Sequence, residues 1–213
     1  MNLNKINQLL YNFILIRYYM GLIKKFSSNN KSLVCVWKIT ETYDELTLLT
    51  KENINIKNRI KQKEFLASRV LVEKMCEVFN IKFKGIKKDS NGKPFLINSN
   101  HHISISHKFP YVTAIIDQKQ CGIDIEKIDE KVKRIKSKFL NEEEEKDVGE
   151  NLKKIIEYWS IKETLYKIDG SAIPLKNITI KNKSENLYAC LVNEKDFEIS
   201  TKEIDNHILS YTT

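Results

Sequence analysis

The chain has 213 residues, of which 41% are hydrophobic and 30% are charged, and this is typical of a folded protein with a substantial core. Its 36 Lys and Arg residues outnumber its 28 Asp and Glu residues, giving a net charge of +8 that favours an anionic partner. No segment approaches the roughly 18 apolar residues that a membrane span needs, so we expect no membrane partner.

The four cysteines lie far apart, with no CxxC pair and no His at a metal-ligand spacing. They are Cys35, Cys76, Cys121 and Cys190. This distribution predicts reduced, mostly buried thiols in a cytoplasmic protein.

The N-terminal segment contains a short apolar patch at residues 9–16. Polar side chains interrupt this patch, and no small-residue cleavage site follows it, so a secretion signal is the weaker alternative. We expect residues 1–19 to be a non-native extension that precedes a natural start at Met20.

The first half of the chain alternates strand patterns with helix patterns. The predicted elements are a strand at residues 32–39, a helix at 40–50 behind a Thr40 cap, a long helix at 57–79, a turn and short strand at 87–96, and strands at 101–107 and 111–116.

The second half of the chain also contains both strand patterns and helix patterns. The predicted elements are a strand at residues 121–125, a basic helical stretch at 129–139, an acidic run at 141–145, a helix at 152–168, and strands at 176–182, 187–192, 197–203 and 207–213. Each half therefore has strands and one long helix. This predicts an α+β fold with two similar tandem subdomains, residues 20–118 and 119–213, related by a pseudo-two-fold axis.

The sequence Gly-Ile-Asp-Ile-Glu at residues 122–126 places two carboxylates in the second strand of a predicted hairpin. Side chains alternate along a strand, so Gly122, Asp124 and Glu126 share one face. Asp is a poor strand former, and its presence needs compensation, for which a bound cation is one candidate. The alternative is the wet face of an antiparallel strand.

The helix at residues 152–168 carries a second charged group. Glu163 and Lys167 form an i, i+4 pair at its polar margin, for which a solvated helix pair is the alternative interpretation. Lys162 falls within the apolar arc, where a lysine must either extend to the surface or meet an anion in a cleft.

Taken in order, these motifs resemble the 4′-phosphopantetheinyl transferases, in their single-chain, broad-specificity branch. The two main motifs are Gly-Ile-Asp-Ile-Glu and, further along, Trp-Ser-x-Lys-Glu-x-x-x-Lys at residues 159–167. Weaker matches are Gly-Lys-Pro at 92–94, Ser-Ile-Ser-His at 104–107 and the segment from Phe139. The resemblance covers about residues 57–180, and it implies an active site between the two subdomains.

The resemblance implies transfer of 4′-phosphopantetheine from coenzyme A to a serine hydroxyl of an acyl or peptidyl carrier protein, with release of adenosine 3′,5′-bisphosphate. It implies that Asp124, Glu126 and Glu163 hold Mg²⁺, with Mn²⁺ as the alternative. Glu163 is then the candidate base for the serine proton, and Lys167 is the candidate contact of the pyrophosphate.

The resemblance also suggests which side chains bind coenzyme A. These are Arg69, Lys93, Ser106, His107, Lys162 and Lys167. Arg69 is the candidate for the 3′-phosphate, and the Lys93, Ser106 and His107 side chains are candidates for the nucleotide phosphates. A structural strand histidine is the alternative interpretation of His107.

Two other classes of function are compatible with the charge. A basic nucleic-acid-binding protein is one, although the lysines do not cluster and no binding motif is present, so we expect no nucleic acid. A metal-dependent nuclease or phosphohydrolase is the other. For the transferase we expect a monomer that binds an acidic carrier protein, with the basic residues 131–138 as the first candidate contact.

Overall fold

The computed structural model describes residues 22–28, 32–52, 54–169 and 173–213. The expected extension at residues 1–19 lies outside the described residues.

The described strands form two antiparallel sheets. The first contains β1 Leu22–Ser28, β2 Ser32–Lys38, β3 Ile86–Lys88, β4 Pro94–Leu96, β5 His102–Lys108 and β6 Tyr111–Asp117, in the order β1-β2-β6-β5-β4-β3. The second contains β7 Ile123–Lys127, β8 Thr179–Ser184, β9 Leu187–Val192, β10 Lys195–Ile204 and β11 His207–Thr212, in the order β7-β11-β10-β9-β8. The predicted α+β fold is therefore confirmed.

Each sheet carries one long helix. The helices are α1 Tyr43–Leu49, α2 Arg59–Val78, α3 Lys136–Phe139, α4 Glu142–Val148 and α5 Leu152–Asp169, with short 3-10 turns at Glu130–Ile135 and Leu175–Asn177. Within the described ranges, none of the helices has the length and apolar character needed to cross a membrane.

The first helix begins two residues later than the sequence predicts. Its N-cap is Thr42 and not Thr40, because Thr42 and Glu45 form a capping box. The Glu45 amide donates to Thr42 Oγ1 at 3.2 Å, and the Thr42 amide donates to the Glu45 carboxylate at 2.9 Å.

The strands β2 and β6 are buried on both faces, which explains their almost uninterrupted apolar sequence. On β2, Leu33 and Trp37 join the core under α2, whereas Val34 and Val36 point the other way. The second set packs against apolar residues of the other sheet, including Ile123 on β7. A further core lies between α5 and the second sheet.

The predicted hairpin between the strand at residues 111–116 and the one at 121–125 is wrong. The strand β6 lies in the first sheet between β2 and β5, so neither of its edges is open to β7. The strand β7 instead pairs with β11, with Asp124 opposite Ser210.

All four cysteines are buried free thiols, as predicted. Burial raises the pKa of Cys76 to about 11 and that of Cys121 to about 12, which keeps these thiols protonated and unreactive.

Gly122, just before β7, lies in close contact with α5. A Cβ atom added there would lie 2.2 Å from the carbonyl oxygen of Thr164 and 2.8 Å from Cγ1 of Ile168, both on α5. The glycine therefore sets the distance between the two main motifs.

We predict that Gly122→Ala destabilises the protein by about 3 kcal/mol, the upper end for overpacking, because the clash is with backbone. The measurement is the free energy of unfolding in denaturant. Gly92→Ala is the control, since it has a positive φ of 83° but no atom within 4 Å, and should cost only about 1 kcal/mol. Equal losses in the two variants would contradict the close-approach explanation.

Candidate active site

The two sheets meet where β7 lies beside β5. The strand β7 is at the edge of its sheet, so its outward amides lack ladder partners. The amides of Ile123 and Ile125 donate to Ser104 Oγ and Ser106 Oγ, both at 3.3 Å. The alternating serines of the Ser-Ile-Ser-His motif thus satisfy the β7 edge.

Asp124 is buried, with 3% of its surface exposed, so the alternative of a wet strand face does not hold. Its Oδ1 accepts from Ser106 Oγ at 2.8 Å and from Lys167 Nζ at 2.7 Å. Its Oδ2 accepts from Ser160 Oγ at 3.0 Å. A buried carboxylate needs such partners, because an unpaired charge in the interior is costly.

Lys167 connects Asp124 with the neighbouring strands. Its Nζ also donates to Ser106 Oγ at 3.0 Å and to the Ile123 carbonyl at 3.2 Å. Ser106, expected to contact a nucleotide phosphate, forms hydrogen bonds with Asp124, Lys167 and the Ile125 amide, and its phosphate contact stays a prediction.

The other two predicted metal ligands are Glu163 and Glu126. The pKa of Glu163, which is half-buried, is raised by burial and by the negative charges of Asp124 and Glu126, while Lys167 opposes this effect. Glu126 forms an ion pair with Lys108 at 2.6 Å. The three carboxylates therefore make a region that favours positive charge.

Carboxylate oxygens are the ligands that Mg²⁺ prefers, so the chemistry of the three side chains fits this ion. The counter-charge of Asp124 in this structure is Lys167. In the part of the chain that the structure describes, no group of three or more His, Cys, Asp or Glu residues is arranged to hold a metal ion.

A cavity of about 410 Å³ opens next to Lys167. Its basic lining residues are Lys61, Arg69, Lys88, Lys93, His107 and Lys167. The structure thus brings together four of the six residues predicted to bind coenzyme A. Such a lining suits a ligand with several phosphate groups.

Arg69 is held rigidly in this cavity. Its guanidinium stacks 3.7 Å from the Phe65 ring centroid, and Nη1 donates to Ser68 Oγ at 2.9 Å. Burial lowers the pKa of Arg69, and its buried Nε has no hydrogen-bond partner among the described residues. A stacked guanidinium that lines a cavity is suited to an anion.

Lys93 ties the Gly-Lys-Pro turn to the end of α5. Its Nζ donates to the Ile168 carbonyl at 2.7 Å, and the turn residues Gly92 and Pro94 also line the cavity. The weak motif therefore forms one wall of the same cavity.

Glu64 is a site residue that the sequence analysis missed. It is 2% exposed, and its Oε2 lies 3.3 Å from His107 Nδ1. A glutamate in a highly charged helix is usually interpreted as a surface residue. The available signal was its spacing, because Glu64 precedes buried Ser68 and Leu71 by one and two turns of α2.

Lys162 does not line the cavity. Its side chain is fully buried, and Nζ donates to Glu144 Oε2 at 2.6 Å and to the carbonyls of Phe139, Leu175 and Ile178 at 2.8, 3.0 and 2.9 Å. These contacts are structural, and the expected contact with coenzyme A stays a prediction. Burial lowers the pKa of Lys162, and the Glu144 carboxylate opposes this shift.

The comparisons with known proteins agree with this geometry. Residues 120–212, which run from β7 to β11 and include α5, match the model of the 4′-phosphopantetheinyl transferase superfamily. The chain is also 31% identical over 143 residues to the 4′-phosphopantetheinyl transferase gsp of Aneurinibacillus migulanus. Both matches show that the chain is similar to 4′-phosphopantetheinyl transferases, and the superfamily match lies in its second half.

The alignment with the gsp protein covers 62% of this chain and 59% of the relative, so the chain spans about three fifths of that relative's length. The superfamily match includes Asp124, Glu126, Glu163 and Lys167. Arg69, on α2, lies before the matched range, so its place in the site rests on the cavity alone.

We predict that Lys162→Met destabilises the protein by about 3–5 kcal/mol, because Glu144 would be left buried without its counter-charge. Denaturant unfolding measures the loss, and adding Glu144→Gln should recover part of it. The control is Lys154→Met, since the pair with Asp147 is partly exposed and is worth less than about 1 kcal/mol.

A Lys162→Met variant with normal stability but weak coenzyme A binding would contradict the structural role. It would instead support the ligand contact that the resemblance implied.

Proposed function

We propose that this protein transfers 4′-phosphopantetheine from coenzyme A to a serine hydroxyl of an acyl or peptidyl carrier protein, with release of adenosine 3′,5′-bisphosphate. The observation that carries the proposal is the position of Lys167, which both lines the basic cavity and bonds Asp124. A nucleotide in the cavity would therefore meet the carboxylates at this one side chain. The name of the gsp relative supports the same reaction.

The cavity would bind the nucleotide part of coenzyme A. Arg69 offers a stacked guanidinium, and Lys93 and His107 add side chains from other walls. Because phosphate groups carry several negative charges, cations converging from separate elements bind them more tightly than any one alone. The convergence of α2, β5 and the 92–94 turn supports this role.

Asp124, Glu126 and Glu163 would hold the divalent cation, Mg²⁺ or Mn²⁺. When bound, such an ion supplies neutralisation of charge on the pyrophosphate oxygens. The raised pKa of Glu163, caused by burial and by its acidic neighbours, supports a site built for positive charge.

The reaction needs one bond to form and one to break. The serine oxygen bonds to the phosphorus next to pantetheine, and the bond between that phosphorus and the bridging oxygen breaks, so the bridging oxygen leaves as part of adenosine 3′,5′-bisphosphate. Glu163 would accept the serine proton, and Lys167 would donate to the phosphate oxygens as charge develops on the leaving group. Catalysis of this kind depends on positioning and charge neutralisation more than on covalent chemistry.

The carrier protein would approach the basic 3-10 turn and α3. In this segment Lys133 and Lys136 face Glu150, with Nζ to carboxylate distances of 3.8 and 3.0 Å. Lys131, Arg134 and Lys138 are exposed. These three cations form the charge that an acidic partner would meet.

We predict that Asp124→Asn and Glu163→Gln each lower the rate of transfer by at least about 100-fold, because they remove charge at the reacting centre. The assay combines the full chain, coenzyme A, Mg²⁺ and an apo carrier protein, and mass spectrometry measures the gain of phosphopantetheine. Glu126→Gln should be milder, since water can replace a peripheral ligand of Mg²⁺.

The control for the carboxylate variants is Glu142→Gln, an exposed carboxylate on α4 that should leave the rate unchanged. Substantial transfer by Asp124→Asn would contradict the assignment. Cleavage of coenzyme A without any gain of mass by the carrier would favour a phosphohydrolase instead.

We predict that replacing Lys131, Arg134 and Lys138 together with Ser raises KM for the carrier protein and reduces its salt dependence, while KM for coenzyme A stays unchanged. Raising the salt from about 0.05 to 0.5 M screens such charges, so kcat/KM for the carrier should fall in the wild type. The matched control replaces exposed Lys82, Lys181 and Lys195, which changes the net charge equally. Equal effects in both triple variants would indicate that only overall charge matters.

A further inference from the structure

The strand β5 contacts β7 through three side chains that lie on one of its faces. Side chains alternate along a strand, so Ser104, Ser106 and Lys108 point the same way. The two serines accept from amides of β7, and Lys108 Nζ lies 2.6 Å from Glu126 Oε2. Lys108 is therefore part of the same contact, at the end where β7 becomes exposed.

Lysines supply the counter-charges of two of the three predicted metal ligands. Lys167 Nζ lies 2.7 Å from Asp124 Oδ1, and Lys108 pairs with Glu126. Together the two ammonium groups carry the same charge as one divalent cation, and they offset the repulsion between the carboxylates in the same way. A metal ion that uses the Glu126 carboxylate would meet a positive charge already in contact with it.

The two lysines differ in how firmly the protein holds them. Lys167 donates to three oxygen atoms around buried Asp124, and its side chain is 27% exposed. The side chain of Lys108 is 46% exposed, and that of its partner Glu126 is 21% exposed. Because ion pairs near water are weak, Lys108 can leave its partner for solvent at a much smaller cost than Lys167.

We infer that the Lys108 ammonium group and the divalent cation bind Glu126 in competition, so that the cation displaces Lys108 into solvent when it binds. The inference rests on the proposed function, because it takes Asp124, Glu126 and Glu163 as the ligands of the cation. No covalent bond changes in this step, and no proton is transferred. Lys108 thereby raises the concentration of Mg²⁺ or Mn²⁺ that the site needs for occupancy.

Binding of Mn²⁺ to the full chain tests the competition without any turnover. Free Mn²⁺ gives a paramagnetic resonance signal that is lost on binding, so titrations with and without coenzyme A measure its dissociation constant, and displacement by Mg²⁺ measures that of Mg²⁺. Lys108→Met should bind both ions about three- to fivefold more tightly than the wild type, as expected when a partly exposed ion pair no longer competes. Lys108→Arg keeps the charge and the pairing with Glu126, so it should bind them no more tightly than the wild type.

Lys127→Met is the matched control for net charge. Lys127 is exposed and follows Glu126 directly, but its side chain lies on the opposite face of β7. At physiological salt this substitution should change the dissociation constants by less than about twofold, because exposed charges that are not in contact are screened. In the Glu126→Gln background, Lys108→Met should have no further effect, because the carboxylate for which the two cations compete has lost its charge.

The outcomes separate this inference from the proposed function. Equal affinities of the wild type and Lys108→Met, equal tightening by Lys108→Met and Lys127→Met, or the same tightening in the Glu126→Gln background would each overturn the inference and leave the proposed function intact. Weaker binding by Lys108→Met would also overturn it, because the lysine would then hold Glu126 in position for the cation. Wild-type protein that binds no Mn²⁺ even with coenzyme A would overturn both the inference and the proposed cation site, whereas the transfer assay tests the reaction itself.

Discussion

The packing of the β7 edge against β5 is the interaction on which the rest of the site depends. An edge strand has amides without partners, and here two serines of β5 accept from Ile123 and Ile125. One of these serines, Ser106, also donates to Asp124, which links the carboxylate to the contact between β5 and β7. Since the basic cavity lies on the β5 side and the carboxylates on the β7 side, a change in the contact between β5 and β7 would separate the cavity from the acidic residues.

Two residues with different chemistry position the helix α5 beside the contact between β5 and β7. Gly122 allows its backbone to touch the strand, and Lys162 anchors its other face through four oxygen atoms. Glu163 follows Lys162 directly in sequence yet lies near Asp124 and Glu126, because consecutive helical residues point about 100° apart. The Lys-Glu pair in the motif thus joins a residue that anchors the helix to one that lies near the other two carboxylates.

The sequence predicted most elements because their signals are local. Alternating β-branched residues identify β5, and the long apolar stripe identifies α2. Properties that depend on distant partners were not predictable: β7 leaves β6 because both edges of β6 are already paired, and the burial of Lys162 depends on Glu144, 18 residues away along the chain. Glu64 was missed for the same reason, since its partner His107 comes from another element.

Several of these contacts pair a basic side chain of the cavity with a buried carboxylate. Cations that line one cavity repel one another, and a nearby negative charge offsets this repulsion. Two buried carboxylates supply such a charge to three of the basic lining residues: Asp124 faces Lys167, and Glu64 faces both Lys61 and His107. Each of these carboxylates is covered by the protein, whereas the basic side chains line the cavity. A polyphosphate ligand would therefore meet the basic side chains from the open side, opposite the buried carboxylates.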